Sequence, residues 1–274
     1  MNLNRYPLVI FRSFVDFFRD GGFMLAGSLS YFTMMAIVPF CLFLVTIFGH
    51  FLGMHEGFLR FFSAKLVSFF PAITYKITEE LRKIITYKGL GSFTLVLYGF
   101  LSYQLFSSLE SSVNMIFKVK AKRPFALSLV YSLLIVTLIV IFILVSFGAT
   151  SAISMLRTLR EFFPDLKISK ITRFLIGVAV PFVLVFLTVA TLYGFLPRHK
   201  IKAVNALSGA LFTAVLLEAA KHLFTFYVKH VAKMGAIYGP LSAFMVFLLW
   251  VFYSSCIFLI GAEVVRNLGV PKGK

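Results

Sequence analysis

The stretch "NALSGALFTAVLLEAAKHLF", residues 205–224, is apolar enough to enter a bilayer and carries a carboxylate near its middle. Ala206, Ala210, Ala214 and Glu218 follow one another at steps of four, so they share one face of a helix. Small residues on one face allow helices to approach closely in lipid, where packing and interhelical hydrogen bonds replace the hydrophobic effect. The stretch therefore predicts a membrane-spanning helix that packs against other helices through the face holding Glu218.

Glu218 lies about thirteen residues after Asn205, which is near the middle of a bilayer at about 1.5 Å of rise per residue. A charge at that depth costs about 2.5–3.5 kcal/mol on insertion scales. Lys221 and His222 follow at i+3 and i+4, so local neutralisation of the carboxylate is one interpretation. The other is a protonatable or cation-attracting group on a pathway through the protein. The sequence leaves both open.

The composition of the whole chain agrees with membrane immersion. Of 274 residues, 60% are hydrophobic and only 14% are charged, which is more apolar surface than a soluble domain of this size can bury. The net charge of +17 comes from 27 bases set against 10 acids. Because the bases lie between apolar runs, we expect them to meet anionic lipid headgroups rather than nucleic acid.

Six stretches are long and apolar enough to span a bilayer, which takes about 20 residues. The predicted spans are 25–52, 91–114, 125–153, 171–196, 205–228 and 239–264. Before them, Leu8, Phe11, Val15 and Phe18 form one stripe of a predicted amphipathic helix on the membrane surface. Residues 53–90 are predicted to form two short interfacial helices between spans 1 and 2, broken at Pro71. The predicted fold is an all-α membrane protein with a single domain, 1–274.

The distribution of bases predicts the orientation of these spans. An even number of spans places both termini on the same side, and raw counts of Lys and Arg are tied between the two sides. Residues 118–124 and 197–202 are short, basic and free of acids, whereas the opposite loops are longer and mixed. Short basic loops stay in the cytoplasm, so we expect both termini there.

Small residues at helical spacing lie at the start of the first predicted span and just before it: Gly22, Ala26, Ser30 and Thr33. Pro39 removes one backbone hydrogen bond and predicts a kink whose freed carbonyl needs protein or water nearby. A kinked packing helix is the favoured interpretation, ahead of direct contact with a substrate.

The second predicted span is more polar than packing requires. One face carries Gly99, Tyr103, Ser107, Glu110 and Asn114. Hydrocarbon would penalise such a face, so it must turn inward. It either lines a wet cavity or forms a hydrogen-bonded seam between helices, and the sequence does not choose.

Glu263 ends the last predicted span with Arg266 three residues later. A terminal ion pair that snorkels toward the headgroups explains this spacing without a functional role.

Several segments together resemble the YihY/BrkB family of bacterial inner-membrane proteins, once labelled ribonuclease BN. They are "AGSLSYFTMMAIVPF" (26–40), "ESSVNMIFKVKAKRPF" (110–125), "LYGFLPRHKIK" (192–202) and "YGPLSAFMVFLLWVFYSSCIFLIGAEVVR" (238–266). The resemblance implies six membrane helices with cytoplasmic termini. It carries over no catalytic residue.

The ribonuclease label finds no support in the chemistry of the residues. A metal-dependent nuclease needs a compact cluster of His, Asp and Glu to hold ions and activate water. The five histidines include no HxH or HExxH spacing, and the three aspartates are scattered at 16, 20 and 165. We therefore predict no enzyme activity, no metal and no cofactor.

The sequence favours a transporter or flippase for a lipid or other anionic amphiphile, with a polar cavity lined by the first, second and fifth spans. The predicted pathway residues are Glu218, Lys221, Tyr31, Tyr103 and Glu110. Arg123 and Arg198 are predicted headgroup contacts on the inner face, although orientation signalling alone explains both. The alternative is a scaffold that organises envelope enzymes or lipids without transport. The sequence sets no oligomeric state.

Overall fold

The computed structural model of the protein describes residues 6–36, 92–119, 174–230 and 242–269, together with single residues between 124 and 145. Those residues form α-helices and connecting turns and contain no strand, as the sequence predicts. The helices are α1 (Tyr6–Arg19), α2 (Gly22–Ala36), α3 (Ser92–Ile116), α4 (Val180–Phe195), α5 (Ala203–His230) and α6 (Ser242–Gly269). A π-helical turn, Leu175–Ala179, leads into α4.

Two of the described helices are long and apolar enough to cross a bilayer: Ala203–Val228 within α5 and Phe244–Gly269 within α6. They overlap the predicted spans 205–228 and 239–264, the second lying five residues further along the chain than predicted. Of two shorter apolar helices, Gly22–Ala36 overlaps the predicted first span, 25–52, and Val180–Phe195 falls within the predicted fourth span, 171–196.

The other sequence predictions meet the described residues to different extents. Helix α3 covers the predicted span 91–114, and the single residues described between 127 and 145 are helical. The predicted interfacial helices of 53–90 and the predicted kink at Pro39 lie outside the described residues.

Helix α6 is the central element of the described part of the chain. It packs against α1, α3, α4 and α5, and α4 packs along α5. The principal apolar core is made by side chains from all of these helices and from α2, among them Phe17, Leu29, Ile116, Tyr193 and Leu259. The site residues of each helix are therefore positioned relative to α6.

Helices α4, α5 and α6 meet at a tightly packed seam, defined by Tyr193, Gly209, Thr213 and Gly261. A Cβ at Gly209 would collide with the Val265 side chain, and a Cβ at Gly261 would collide with Thr213 Oγ1 and the Tyr193 hydroxyl. Glycine is thus required at both positions by close approach of neighbouring helices. The predicted packing face of α5 is confirmed, because Ala206, Ala210 and Ala214 are all buried.

Hydrogen bonds connect the three helices of the seam. The Tyr193 hydroxyl donates to the Phe258 carbonyl at 2.6 Å and lies 2.9 Å from Thr213 Oγ1. Thr213 Oγ1 in turn donates to the Gly209 carbonyl at 2.9 Å. These fully buried hydroxyls each have a hydrogen-bond partner in the protein, as is usual for buried polar groups.

Several helix ends gather at one end of the bundle, which we call the basic end and define by residues 16–22, 114–119, 196–205 and 263–269. Arg266 of α6 bonds to Asp20 after α1 and to the Ile116 carbonyl of α3. The Arg198 backbone N–H, between α4 and α5, donates to Asn114 Oδ1 of α3 at 2.8 Å. Helices α2 and α5 therefore begin at this end, and α3, α4 and α6 finish there.

The turn from α1 into α2 at the basic end depends on Gly21, whose φ of +72° is open to glycine and strained for other residues. The neighbouring Gly22 lies under the Phe17 ring, where a Cβ would collide with the ring carbons. The two glycines let α1 fold back onto the bundle.

Candidate functional site

Glu218 lies on α5 and forms an ion pair with its own helix. Its Oε1 is 2.6 Å from Lys221 Nζ and 3.4 Å from His222 Nε2. The Glu218 side chain is 25% exposed and that of Lys221 is 20% exposed, whereas His222 is 74% exposed. The structure thus contains the local pairing that the i+3 and i+4 spacing suggests, and it leaves the pair partly accessible.

The pair sits close to the middle of a helix long enough to span a bilayer. Glu218 is fifteen residues into the apolar stretch Ala203–Val228 and ten from its end, about 4 Å from the midpoint at 1.5 Å per residue. It lies on the flank of the buried face that begins with Ala206, because steps of four drift around a 3.6-residue helix. Glu218 thus lies near the middle of α5, and its predicted depth in a bilayer stays a prediction.

Glu110 and Arg198 form a second charged group, deeper in the protein. Arg198 Nε donates to Glu110 Oε1 at 3.0 Å, and Ser128 Oγ donates to Glu110 Oε2 at 3.1 Å. The side chain of Glu110 is only 4% exposed and that of Arg198 only 17% exposed. The sequence singles out both residues separately, for a cavity and for a headgroup, and the structure brings them together.

The polar face of α3 makes several bonds to neighbouring helices and loops. Ser108 Oγ lies 3.4 Å from Ser28 Oγ of α2, and Asn114 accepts the Arg198 backbone N–H. Tyr103, nearer the start of α3, is half-buried. Of the two interpretations left open for this face, a hydrogen-bonded seam describes the contacts from Ser108 to Asn114.

The remaining predicted site residues are dispersed. Tyr31 of α2 is exposed and its ring packs edge-on against Phe32. Arg198 precedes α5, so Glu218 is about 22 Å further along the axis of that helix at 1.5 Å per residue. The Glu110–Arg198 pair and the Glu218–Lys221 pair therefore occupy different levels of the bundle. Arg123 and Pro39 lie outside the described residues.

A third charged group joins the predicted Glu263–Arg266 pair to residues that the sequence did not connect with it. We call it the Arg266 cluster and define it by Asp16, Asp20, Lys118, Glu263 and Arg266. Arg266 Nη2 lies 2.8 Å from Asp16 Oδ2, and Arg266 Nη1 lies 2.8 Å from Asp20 Oδ2. Lys118 Nζ adds a contact of 3.1 Å to Asp20 Oδ2. One guanidinium thus joins the first and last described helices.

The burial of Glu263 corrects the expectation of a snorkelling ion pair. Its side chain is fully buried, and Arg266 itself is only 14% exposed. Arg266 Nη2 lies 2.8 Å from Glu263 Oε2, but the approach is not aligned for a hydrogen bond, and Oε2 makes none. Glu263 Oε1 accepts a hydrogen bond of 3.4 Å from Arg266 Nη1, so Glu263 is held inside the protein by the guanidinium that it shares with the acids of α1.

Amide and hydroxyl groups complete this cluster. Asn267 Nδ2 donates to Ser13 Oγ at 3.0 Å and to Asp16 Oδ2 at 3.1 Å. Asp16 and Asp20 are four residues apart, on the side of α1 opposite the apolar stripe. That spacing of acids is the sequence signal that could have suggested a partner for the inner face of α1.

Asp20 supplies a prediction about pH. Burial alone would raise the pKa of its carboxyl, but hydrogen bonds from Arg266 and Lys118, with their positive charges, lower that pKa below its ordinary value. A lowered folded-state pKa stabilises the protein above the ordinary Asp range and the stabilisation is lost as pH falls through the folded pKa. We expect thermal stability in detergent to fall below about pH 4, and to fall less steeply in Asp20→Asn. Parallel pH profiles for the two proteins would contradict this.

No metal site is evident where the structure describes the chain: no three His, Cys, Asp or Glu side chains lie close enough together to hold an ion. The charged groups instead pair acids with bases. The described residues thus contain a partly accessible ion pair in α5, Glu218–Lys221, and two buried charged groups near the basic end, Glu110–Arg198 and the Arg266 cluster.

Long apolar helices packed through small residues, with charges paired inside the bundle, define an α-helical membrane protein. Comparison with known proteins agrees. The family model described as "Virulence factor BrkB" matches residues 13–270. The chain belongs to the YihY/BrkB family of membrane proteins, as the sequence resemblance implied.

Relatives of this chain carry the name UPF0761 membrane protein. One from Aliivibrio fischeri is 32% identical over 254 residues, covering 90% of this chain and 79% of the relative. One from Aliivibrio salmonicida is 31% identical over 250 residues, covering 89% and 77%. A longer relative from Prosthecochloris aestuarii is 31% identical over 277 residues, covering 94% of this chain and 61% of its own length. No solved structure matches the chain.

Proposed function

We propose that this protein moves a lipid or another anionic amphiphile across the bacterial inner membrane, with the Glu218–Lys221 pair on its pathway. The observation that carries the proposal is an ion pair with both partners partly accessible, near the middle of a helix long enough to span a bilayer. Charged groups at that depth are costly against hydrocarbon and are usually found facing a bundle interior or a wet cavity. A polar pathway beside α5 would supply that environment.

The proposed topology has six spans, with both termini in the cytoplasm and α1 along that membrane face. It is supported by the gathering of helix ends at the basic end, where Lys118, Arg198, Lys200 and Lys202 also lie. Bases concentrate on the cytoplasmic side of membrane proteins, so the basic end is assigned to the cytoplasm. In this topology the two short basic segments, 118–124 and 197–202, both face the cytoplasm.

In the proposed mechanism an anionic headgroup first meets the bases of the inner face, including Arg123 and Arg198. The Nε of Arg198 is held by Glu110 at 3.0 Å, so a phosphate at this guanidinium competes with the Glu110 carboxylate. Tyr31, Tyr103 and Glu110 remain the proposed polar residues along the route. At Lys221 the headgroup competes with Glu218 for the ammonium group, so the carboxylate prevents permanent capture of the anion. No catalytic residue and no cofactor enter the proposal.

The variant Glu218→Gln tests this mechanism. Gln keeps the size of the side chain but lacks the charge that competes for Lys221, so we expect transport to fall about tenfold or more, equivalent to about 1.4 kcal/mol or more. The measurement is movement of tail-labelled phosphatidylglycerol between leaflets of liposomes that contain the purified protein. Thr225→Val is the matched control, because Thr225 Oγ1 bonds only to the Lys221 carbonyl of its own helix in the described contacts.

Two results would overturn the proposal. Equal rates for wild type and Glu218→Gln would remove Glu218 from the mechanism. A wild-type protein that moves neither phosphatidylglycerol nor other lipids and amphiphiles would favour the alternative, a scaffold that organises envelope enzymes or lipids. The tight seam of α4, α5 and α6 favours that alternative, because glycines there leave no room even for a methyl group.

A further inference from the structure

The outer face of α1 is an apolar surface that no described part of the chain covers. Leu8 is 72% exposed and Phe11 is 71% exposed. Phe14, Val15 and Phe18 are exposed beside them and share the same side of the helix. Contiguous exposed apolar surface of this kind marks an interaction site.

The opposite face of α1 is already occupied. Val9, Ser13, Asp16 and Phe17 are buried on α6, with Asp16 bonded to Arg266. A free amphipathic helix could turn its apolar side toward the protein and its polar side toward water. Here the buried ion pair fixes the rotation of α1 with its polar side inward, so its apolar side must find a partner outside the bundle.

The apolar surface continues from α1 into the first apolar helix. The Phe18 and Phe23 rings meet edge to face, with centroids 5.3 Å apart across the Asp20–Gly21 turn. Phe23 and Met24, at the start of α2, are also exposed. We call the exposed apolar residues Leu8, Phe11, Phe14, Val15 and Phe18 the strip. Since α2 overlaps the first predicted span, the strip is continuous with the surface that lipid would cover.

The charges beside the strip favour an anionic membrane surface. Arg12 and Arg19 are both exposed and lie seven residues apart on one flank of the strip, whereas Asp16 is buried. Arg12 Nε lies 3.6 Å from Asp16 Oδ2, but 64% of its side chain is exposed, so both bases remain open to headgroups. Each base near an anionic membrane surface contributes about 1 kcal/mol of attraction.

We propose that the outer face of α1 docks into the headgroup region of an anionic bilayer, with Phe11 and Val15 among the acyl chains and Arg12 and Arg19 at the phosphates. The position of α1 sets the depth of this docking. The helix lies at the basic end of the bundle, where the described helices begin or finish, and so at the level of the headgroups. This docking does not depend on transport and would hold equally for a scaffold.

Spin labels test the proposal in the full-length protein. In a background without cysteine (Cys41→Ala, Cys256→Ala), labels are placed at Phe11→Cys and Val15→Cys and at the flank position Arg19→Cys. In bilayers of phosphatidylcholine with phosphatidylglycerol, we expect oxygen to collide more often than a water-soluble nickel chelate at positions 11 and 15, and the reverse at 19. Greater access of the nickel chelate at 11 and 15 would overturn docking, and poor access of both probes would show that protein, such as a second copy, covers the strip.

The lipid preference is tested separately. Replacing phosphatidylglycerol by phosphatidylcholine, or introducing Arg12→Gln with Arg19→Gln, should reduce the ratio of oxygen to nickel collisions at position 11. A ratio unchanged by both would refute the preference for anionic headgroups. A scrambling assay on the same samples separates this result from the proposed transport, because loss of docking and loss of transport are read independently.

Discussion

Replacing Arg266 with Met is expected to lower the free energy of unfolding by about 3–5 kcal/mol, because removal of one partner leaves charges buried without compensation. Arg266 is the shared partner of Asp16, Asp20 and Glu263, and it also donates to the Ile116 carbonyl at 2.7 Å. Methionine retains the apolar volume of the stem but none of these bonds. Unfolding in detergent can be followed by the fluorescence of Trp250, the single tryptophan of the chain, which is buried.

Arg12→Met is the matched control for Arg266→Met. Arg12 Nε approaches the same Asp16 carboxylate at 3.6 Å, but its side chain is 64% exposed. Exposed ion pairs contribute about 0–1 kcal/mol, so this variant should unfold close to wild type. If the two variants lost similar stability, the burial of the Arg266 cluster would not be the source of its strength.

Gly261→Ala should be the most damaging single-methyl change in the α4–α5–α6 seam, with an expected loss of about 1–3 kcal/mol or more. The new methyl group would meet Thr213 Oγ1 and the Tyr193 hydroxyl, which are bonded to each other and to backbone carbonyls. Relief of the collision requires these buried hydroxyls to move away from their partners. The same fluorescence-detected unfolding measures the loss.

Two further variants make the Gly261 prediction specific. Gly194→Ala, on α4, adds a methyl group with no neighbour within 4 Å, so it should leave stability unchanged or raise it by up to about 1 kcal/mol through helix propensity. The double variant Gly261→Ala with Thr213→Ala lacks Thr213 Oγ1, the nearest obstructing atom. Its loss in free energy of unfolding should be smaller than the sum of the losses in the two single variants. Additive losses would show that the collision with Thr213 is not the cause.

Features that depend on neighbouring residues of one helix could be predicted from the sequence. Contacts between segments far apart in the sequence could not. The length of the apolar runs and the steps of four from Ala206 to Ala214 predicted helix α5 and its buried face, because both depend on neighbouring residues of one helix. The Glu218–Lys221 contact followed from i+3 spacing for the same reason. Helical periodicity carries this information without knowledge of the rest of the fold.

The charge groups near the basic end show where that reasoning stops. Glu110 and Arg198 are 88 residues apart, and nothing in either segment specifies the other as partner. For Glu263 the spacing correctly gave Arg266 as neighbour, but the depth of the pair depends on Asp16, on a helix 250 residues from Arg266. Burial of a charge is a property of the assembled bundle, so a single helix pattern cannot report it.

The distance along the chain between Asp16 and Arg266 also sets the order of biogenesis. At about 5–20 residues per second, the ribosome reaches Arg266 roughly 12–50 s after Asp16. Until then the described ion pair available to Asp16 is the exposed one with Arg12 of its own helix, at 3.6 Å, because Arg266 has not yet been made. The contacts that bury Asp16 against Arg266 and Asn267 therefore form only after α6 has been synthesised.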